Sequence, residues 1–501
     1  MDTGSEYYGV FSPSRFFSQV MGVGPVKRHS LISFASNVGV TGIGYIATIY
    51  IAHALGAAPL GVFFLFLAYW NVLNLLADGG IGGAAIQRIS EGHNQNEYFS
   101  AQIALRIVFL AGTLLIVFLA GIMNVTPDIQ GILILLVFAL IISSVAGVYS
   151  TGVYGSGKVG VSQVAELVNV IVKVVFQIVA VYLGFSAGGI IGGAIVGVAA
   201  GAVVNARFLE LHLQRFRWDH IRSLLSYSSW TFLTGATAVI LGYADAILVG
   251  FFLDTTEVGL YRIALQFSAI AAFIALSLRS TLYPKISRWN REGNMDPVET
   301  SLSRALTYSL FLAIPVFFGG GLLAEPIMYF LYGSSFTPAT SALVILLGSQ
   351  IIMVFVTLET MSLGALNHPR EVFRCAAVAS IILVGLDALL IPRLGITGAA
   401  VALLCSMGVN ALIAHWFLRR LITIRVEKKP ISHIILASFM MAIFIAGFRF
   451  FIPFTHFMVL LLATIIGALI YFILILKWDR GIHDELKEFA GDLGLPWPSW
   501  L

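Results

Sequence analysis

The sequence predicts an all-α, polytopic membrane protein of about fourteen transmembrane helices. Three observations predict this. Apolar residues make up 58% of the 501-residue chain and charged residues 11%, whereas soluble domains carry about 25% charged residues. Mean hydropathy is +0.93. The apolar residues gather in stretches of roughly 20, each long enough to cross about 30 Å of hydrocarbon as a helix, the form in which such a segment satisfies its own backbone.

In chain order, residues 1–30 form a cytoplasmic amino-terminal segment. Lys27, Arg28 and His29 precede a full-length span, a layout unlike that of a cleaved signal peptide. Residues 11–21 are either an interfacial stretch or a loose tail. Spans one to six are expected near 31–53, 60–82, 101–122, 129–149, 163–183 and 188–209. A cytoplasmic linker, 210–228, leads to spans seven to twelve near 229–251, 258–281, 303–324, 340–361, 371–391 and 396–418. Residues 419–476 begin with the basic run Arg419–Lys429 and hold spans thirteen (431–451) and fourteen (456–476). The cytoplasmic tail, 477–501, ends in Pro496-Trp497-Pro498-Ser499-Trp500, either an interfacial anchor or a disordered end.

Residues 31–209 and 229–418 read as two halves of one repeat. Gly44-Tyr45 … Pro59-Leu60-Gly61-Val62-Phe63 recurs 198 positions on as Gly242-Tyr243 … Glu257-Val258-Gly259-Leu260-Tyr261. Leu183-Gly184-Phe185-Ser186-Ala187-Gly188 recurs 211 positions on as Leu394-Gly395-Ile396-Thr397-Gly398-Ala399. Six spans per half is an even number, so the halves enter the membrane with equal polarity, related by an axis along its normal. Internal repeats in a membrane chain mark transporters whose site lies between the repeats.

Basic residues set the orientation. With a cytoplasmic amino terminus, 25 of the 29 Lys and Arg residues fall on cytoplasmic segments or helix ends, a strong positive-inside bias. Both termini are then cytoplasmic. External connections are short, the longest near 325–339, leaving no room for an external catalytic domain. Cys375 and Cys405 lie inside spans eleven and twelve, and the ten histidines are scattered. No disulfide framework, metal set or cofactor is expected, and no nucleic-acid partner.

An intramembrane charge costs at least ~2.5–3.5 kcal/mol on insertion scales, so each is a functional candidate. Lys173, near mid-membrane on span five, follows Glu166 by two helical turns on nearly the same face. The pair is either a phosphate-binding cation with its neighbour in a wet cavity or an internal bridge. Asp245 and Arg262 sit at similar outer depth on spans seven and eight, with Asp387 level on span eleven. They read as a structural pair or as an external gate. At the inner ends stand Asp78, Arg88, Arg106, Arg279, Glu359 and Arg374. The arginines either snorkel singly or together line a cationic inner mouth. Asp78 and Glu359 read as their counter-ions or as proton or sodium sites.

Several segments carry a family likeness: Leu55-Gly56 … Leu60-Gly61 with Ala77-Asp78-Gly79-Gly80-Ile81 … Arg88; Asp245 … Val258-Gly259-Leu260-Tyr261; Tyr283-Pro284-Lys285-Ile286-Ser287-Arg288 with Glu292-Gly293-Asn294; Leu331-Tyr332-Gly333-Ser334-Ser335-Phe336; and Leu390-Ile391-Pro392-Arg393-Leu394-Gly395. Over about 30–420 the chain resembles the oligosaccharide flippases of polysaccharide biosynthesis. These are part of the wider superfamily that includes multidrug extruders and lipid II flippases. Asp387 departs from the family's common Asn. The resemblance implies a V-shaped pair of six-helix halves that moves a polyprenyl-pyrophosphate oligosaccharide outward across the cell membrane by alternating access. It also implies membrane lipids and the pathway's glycosyltransferases as partners, and a proton or sodium counter-ion if transport is coupled. A multidrug/cation antiporter would place acids, not a lysine, deepest in the membrane. A lipid II flippase would carry dense basic residues in the first two spans, which hold only His53 and Asp78. A membrane glycosyltransferase would use Glu292, Asp296 and Glu299 as metal ligands, but they lie on a short basic connector.

Overall fold

A computed structural model of the protein describes residues 25–122, 133–424, 427–479, 481, 483, 484 and 487. Residues 11–21, Arg425, Arg480 and the tail tryptophans lie outside the described residues, as do the side chains of Lys27 and Arg28. Each expected span is a helix, and no strand occurs among the described residues. Among the described residues thirteen helices are long and apolar enough to cross a membrane, and the described apolar part of span one, Thr41–Leu55, is shorter. This is an all-α, multi-pass membrane protein.

Span one is Pro25–Leu55. Span two is broken into Ala57–Asp78 and Ile81–Ser90 by Gly79 (φ 58°) and Gly80 (φ 76°), left-handed conformations that glycine adopts without strain. Spans three to six are Gln95–Ile122, Leu133–Gly155, Val159–Tyr182 and Ala187–Phe208. Span seven runs from Trp218 to Phe252, starting inside the expected linker. The Arg217 backbone N–H donates to His220 Nδ1 at 3.1 Å, and buried His220 packs edge-on against Tyr98, so the helix nucleates early. Upstream, the linker is tied to span three: the His212 and Gln214 backbone N–H groups donate to Asn96 Oδ1 and Ser100 Oγ.

Span eight is Thr255–Ser268, a tight turn at Ala269–Ala272, then Phe273–Arg291. Spans nine to fourteen are Asp296–Leu322, Thr340–Ala365, Pro369–Leu394, Ile396–Leu418, Lys428–Phe451 and Phe457–Trp478. The connection between spans nine and ten is folded. It passes through a wide turn at Met328–Tyr332 and a tight one at Ser334–Ala339, burying Tyr332 and Phe336.

Packing partnerships recur six spans apart: five with six and eleven with twelve, four with six and ten with twelve. Span two crosses both seven and eight, and span thirteen packs on nine and fourteen. The largest apolar core, including Leu60, Phe64, Val258, Tyr261, Tyr332 and Phe336, gathers at the end opposite the arginine-rich connections.

Candidate functional site

Ser162, Glu166, Asn169, Lys173 and Gln177 are spaced three or four apart, so they form one stripe along span five. The opposite face carries the exposed apolar residues Val164, Ile171, Val175 and Tyr182, the face suited to lipid. Lys173 therefore points away from lipid. It is half-buried and has no hydrogen-bond or ion-pair partner among the described residues. Glu166, exposed two turns away, is the carboxylate whose charge it feels. Asn169 donates to Glu166 Oε2 at 3.3 Å, and buried Gln177 donates to the Ile190 carbonyl at 2.9 Å.

Sequence reading missed what holds this stripe in place. Gly193, Gly197 and Gly201 lie four apart on span six. A Cβ on Gly197 would lie 2.7 Å from both the Asn169 carbonyl oxygen and Lys173 Cβ, and one on Gly193 3.0 Å from the Gln177 nitrogen. Small residues at this spacing let helices touch through their backbones, so the glycine row fixes the height and direction of Lys173. The signal was present in the sequence as Gly-x₃-Gly-x₃-Gly.

The second charged group is sealed. Asp245 is 1% exposed and Asp387 0%. Arg262 Nη1 stands 3.9 Å from Asp245 Oδ1, donates to the Gly242 carbonyl at 2.9 Å, and faces the Phe64 and Tyr243 rings. Buried Tyr261, another residue missed in the sequence, adjoins the two aspartates. Neither oxygen of Asp387 has a hydrogen-bond partner among the described residues. A bare buried carboxylate is costly, so this pocket of acid suits the uptake of a small cation or proton.

The charges expected at the inner ends divide. Asp78 and Arg106 form a 3.0 Å pair with Arg106 buried. A Cβ on Gly147 would lie 2.6 Å from the guanidinium carbon, so a side chain there would displace the Arg106 head group. Asp78 also accepts the Gly82 N–H at 3.2 Å, capping the second segment of span two. Glu359, 1% exposed, contacts His415 Nδ1 at 2.9 Å across spans ten and twelve. That histidine had no role in the sequence reading. Arg88 pairs with Glu91 at 3.0 Å on the surface, and Arg279 is exposed. The structure thus brings together Asp78 with Arg106, Asp245 with Arg262, and Glu359 with His415. Lys173 stays apart from any short-range partner. Among the described residues no group of three or more His, Cys, Asp or Glu is placed to hold a metal ion.

A family described as polysaccharide biosynthesis protein matches residues 50–341. The chain belongs to that family. It is 28% identical over 474 residues to the probable low-salt glycan biosynthesis flippase Agl15 of Haloferax volcanii, covering 93% of this chain and 98% of the relative. The probable flippase AglR of the same organism is 26% identical, covering 93% and 99%. Among solved structures, lipid II flippase MurJ in an inward closed conformation aligns with a TM-score of 0.76 at 19% identity, over 90% of this chain and 99% of that one. An inward-facing multidrug resistance MATE family transporter of the MOP superfamily aligns with a TM-score of 0.60 at 14% identity, over 76% and 94%. The family's fold is thus the one these transporters share.

Proposed function

We propose that this protein flips a lipid-linked, polyprenyl-pyrophosphate oligosaccharide from the cytoplasmic to the outer leaflet of the cell membrane. The glycan would serve a surface polysaccharide or glycoprotein pathway. The flippase names of its relatives support the class. The observation that carries the cargo is Lys173, an unpaired cation on the polar face of span five, turned from lipid. A cation there offsets part of the cost of stripping water from a pyrophosphate. Glu166 keeps the stripe wet, and the half-buried Arg88 and the exposed Arg279 draw the headgroup in at the inner mouth. Arg106 has a narrower role, as the partner of Asp78. Transport makes and breaks no covalent bond, so the protein works as a carrier and not as an enzyme.

Two six-span halves, 31–209 and 229–418, would rock about the cleft, with both termini cytoplasmic and spans thirteen and fourteen attached to the second half. The partners are the lipid-linked glycan, membrane lipids and the glycosyltransferases that build it. An anion leaving an inside-negative cell gains ~2.3 kcal/mol per charge per 100 mV, and a doubly charged headgroup roughly twice that. On this reading the potential alone drives export. Where a proton or sodium ion returns, Asp245 and Asp387 are the better seat, since Asp78 and Glu359 already hold close partners.

The test is flipping of a fluorescent polyprenyl-pyrophosphate oligosaccharide in liposomes with the potential set. Lys173→Ala should abolish most of the flux and Lys173→Arg should retain it. Equal flux in the alanine variant removes Lys173 from the site. Undiminished flux at zero potential removes the electrical drive. Competition by a multidrug cation, and not by the glycolipid, would favour the antiporter.

A further inference from the structure

The internal repeat noticed in the sequence turns out to be a contact between the repeated segments themselves. Gly259 is Gly61 shifted by the 198-residue offset, and Thr255 is Ala57 shifted by the same amount. A Cβ on Gly61 would overlap the Thr255 carbonyl and lie 3.0 Å from the Gly259 nitrogen. A Cβ on Gly259 would overlap the Ala57 carbonyl and lie 3.1 Å from the Gly61 nitrogen. The contact is reciprocal, as a two-fold axis requires. It closes spans two and eight backbone to backbone at the end opposite the arginine-rich connections, beside the largest apolar core.

A second close approach lies at the other end of the same span. Thr231 of span seven donates its hydroxyl to the Gly80 carbonyl at 2.6 Å. A Cβ on Gly80 would overlap the Ser228 carbonyl and lie 2.6 Å from the Phe232 nitrogen. The break at Gly79–Gly80, both left-handed, separates the outer contact from the segment Ile81–Ser90, whose Gly83 also packs on Thr231. Asp78 caps the segment beyond the break and is pinned by Arg106. A continuous helix would transmit any tilt from one contact to the other, whereas a glycine break lets one part while the other holds.

We propose that span two carries both gates: Gly61–Gly259 is the outer seal, Gly80 against Ser228 and Thr231 is the inner seal, and they open in alternation about Gly79–Gly80. This rests on the flippase reading, but its test separates the two. In a background with Cys375 and Cys405 replaced by alanine, the inner seal is locked by Gly83→Cys with Thr231→Cys. A Cβ on Gly83 would lie 3.4 Å from Thr231 Cβ, close to the roughly 3.5–4.5 Å that a disulfide spans. The outer seal is bridged by Thr48→Cys with Gln266→Cys, whose native side chains meet across spans one and eight at 3.4 Å, using a short bis-methanethiosulfonate, which leaves a mixed disulfide at each cysteine and releases methanesulfinate. Either lock should bring flipping of the fluorescent polyprenyl-pyrophosphate oligosaccharide to background, and a reductant should restore it. The reductant also controls for folding.

A wedge supplies the independent readout. Gly61→Val or Gly259→Val should raise labelling of Asn169→Cys by an impermeant maleimide added outside, relative to the unwedged parent. A locked protein that still transports at its reduced rate overturns the proposal. So does a folded wedge variant whose outer labelling equals the parent's. If the parent moves none of this lipid while the wedges still raise outer labelling, the gates stand and the assigned cargo falls.

Discussion

The polar stripe of span five and the charged cluster of spans seven, eight and eleven hold the same kinds of residue and present them in opposite ways. Lys173 is half-buried without a partner and Glu166 is exposed. Asp245, Tyr261 and Asp387 are closed off, with one arginine among them. Position along a helix places all of these charges inside the membrane, but only packing decides which remain available to a ligand. Span six shapes the first site because its glycine row draws span five close by the backbone, against Asn169, Lys173 and Gln177 of the stripe. In the second, the Phe64 and Tyr243 rings flank the arginine and both acids are buried.

The largest effect that separates the two regions is on stability. Arg262→Ala would strand Asp245, 1% exposed, without its cation, and breaking a buried pair costs about 3–5 kcal/mol. Unfolding in detergent should show that loss, and the double variant with Asp245→Asn should recover part of it. A melting temperature like that of the parent would mean the cluster is wetter than it looks. Lys173→Ala should do the reverse. With no partner to abandon, it should leave unfolding unchanged while flipping falls about ten- to hundredfold, the effect of ~1.5–3 kcal/mol for hydrogen bonds to a charged group.

Gly197→Ala bridges the comparison, because it touches the stripe without removing a charge. Its new methyl would lie 2.7 Å from Lys173 Cβ and the Asn169 carbonyl, so spans five and six must part. Overpacking of this kind costs about 1–3 kcal/mol. Flipping should drop with it, because Lys173 is displaced. A variant that melts lower but transports normally would show that the height of Lys173 does not matter.

Fourteen apolar stretches and the arginine bias were legible because each depends on one residue property averaged over a length the bilayer fixes. The breaks in spans two and eight were not, since hydropathy is blind to backbone conformation; Gly79–Gly80 could have flagged the first. The Glu359–His415 contact was hidden because its partners are 56 positions apart and only the packing of spans ten and twelve joins them. Asp78 was visible as a counter-ion for the inner arginines, but that it takes Arg106, beside Gly147, is decided by packing. The 198-residue echo was seen as a sign of duplication. That its two glycines touch follows from a two-fold axis, which a linear pattern cannot display.

The smallest expected effect is the sharpest test of the sealed cluster. Asp387→Asn keeps the size and polarity of the side chain and removes only its capacity for negative charge. Asp387 has no hydrogen-bond partner among the described residues, so no bond is lost, and relief of repulsion from Asp245 should hold the stability change within about 1 kcal/mol. If the acid is a seat for a returning ion, glycolipid flux should lose its response to an imposed proton or sodium gradient while keeping its response to the membrane potential. If the acid is only a remnant of packing, both responses persist, and coupling must be sought elsewhere. Arg262 gives the control, since a variant that disturbs the fold slows flux under every gradient alike, whereas loss of coupling removes one driving force and leaves the other.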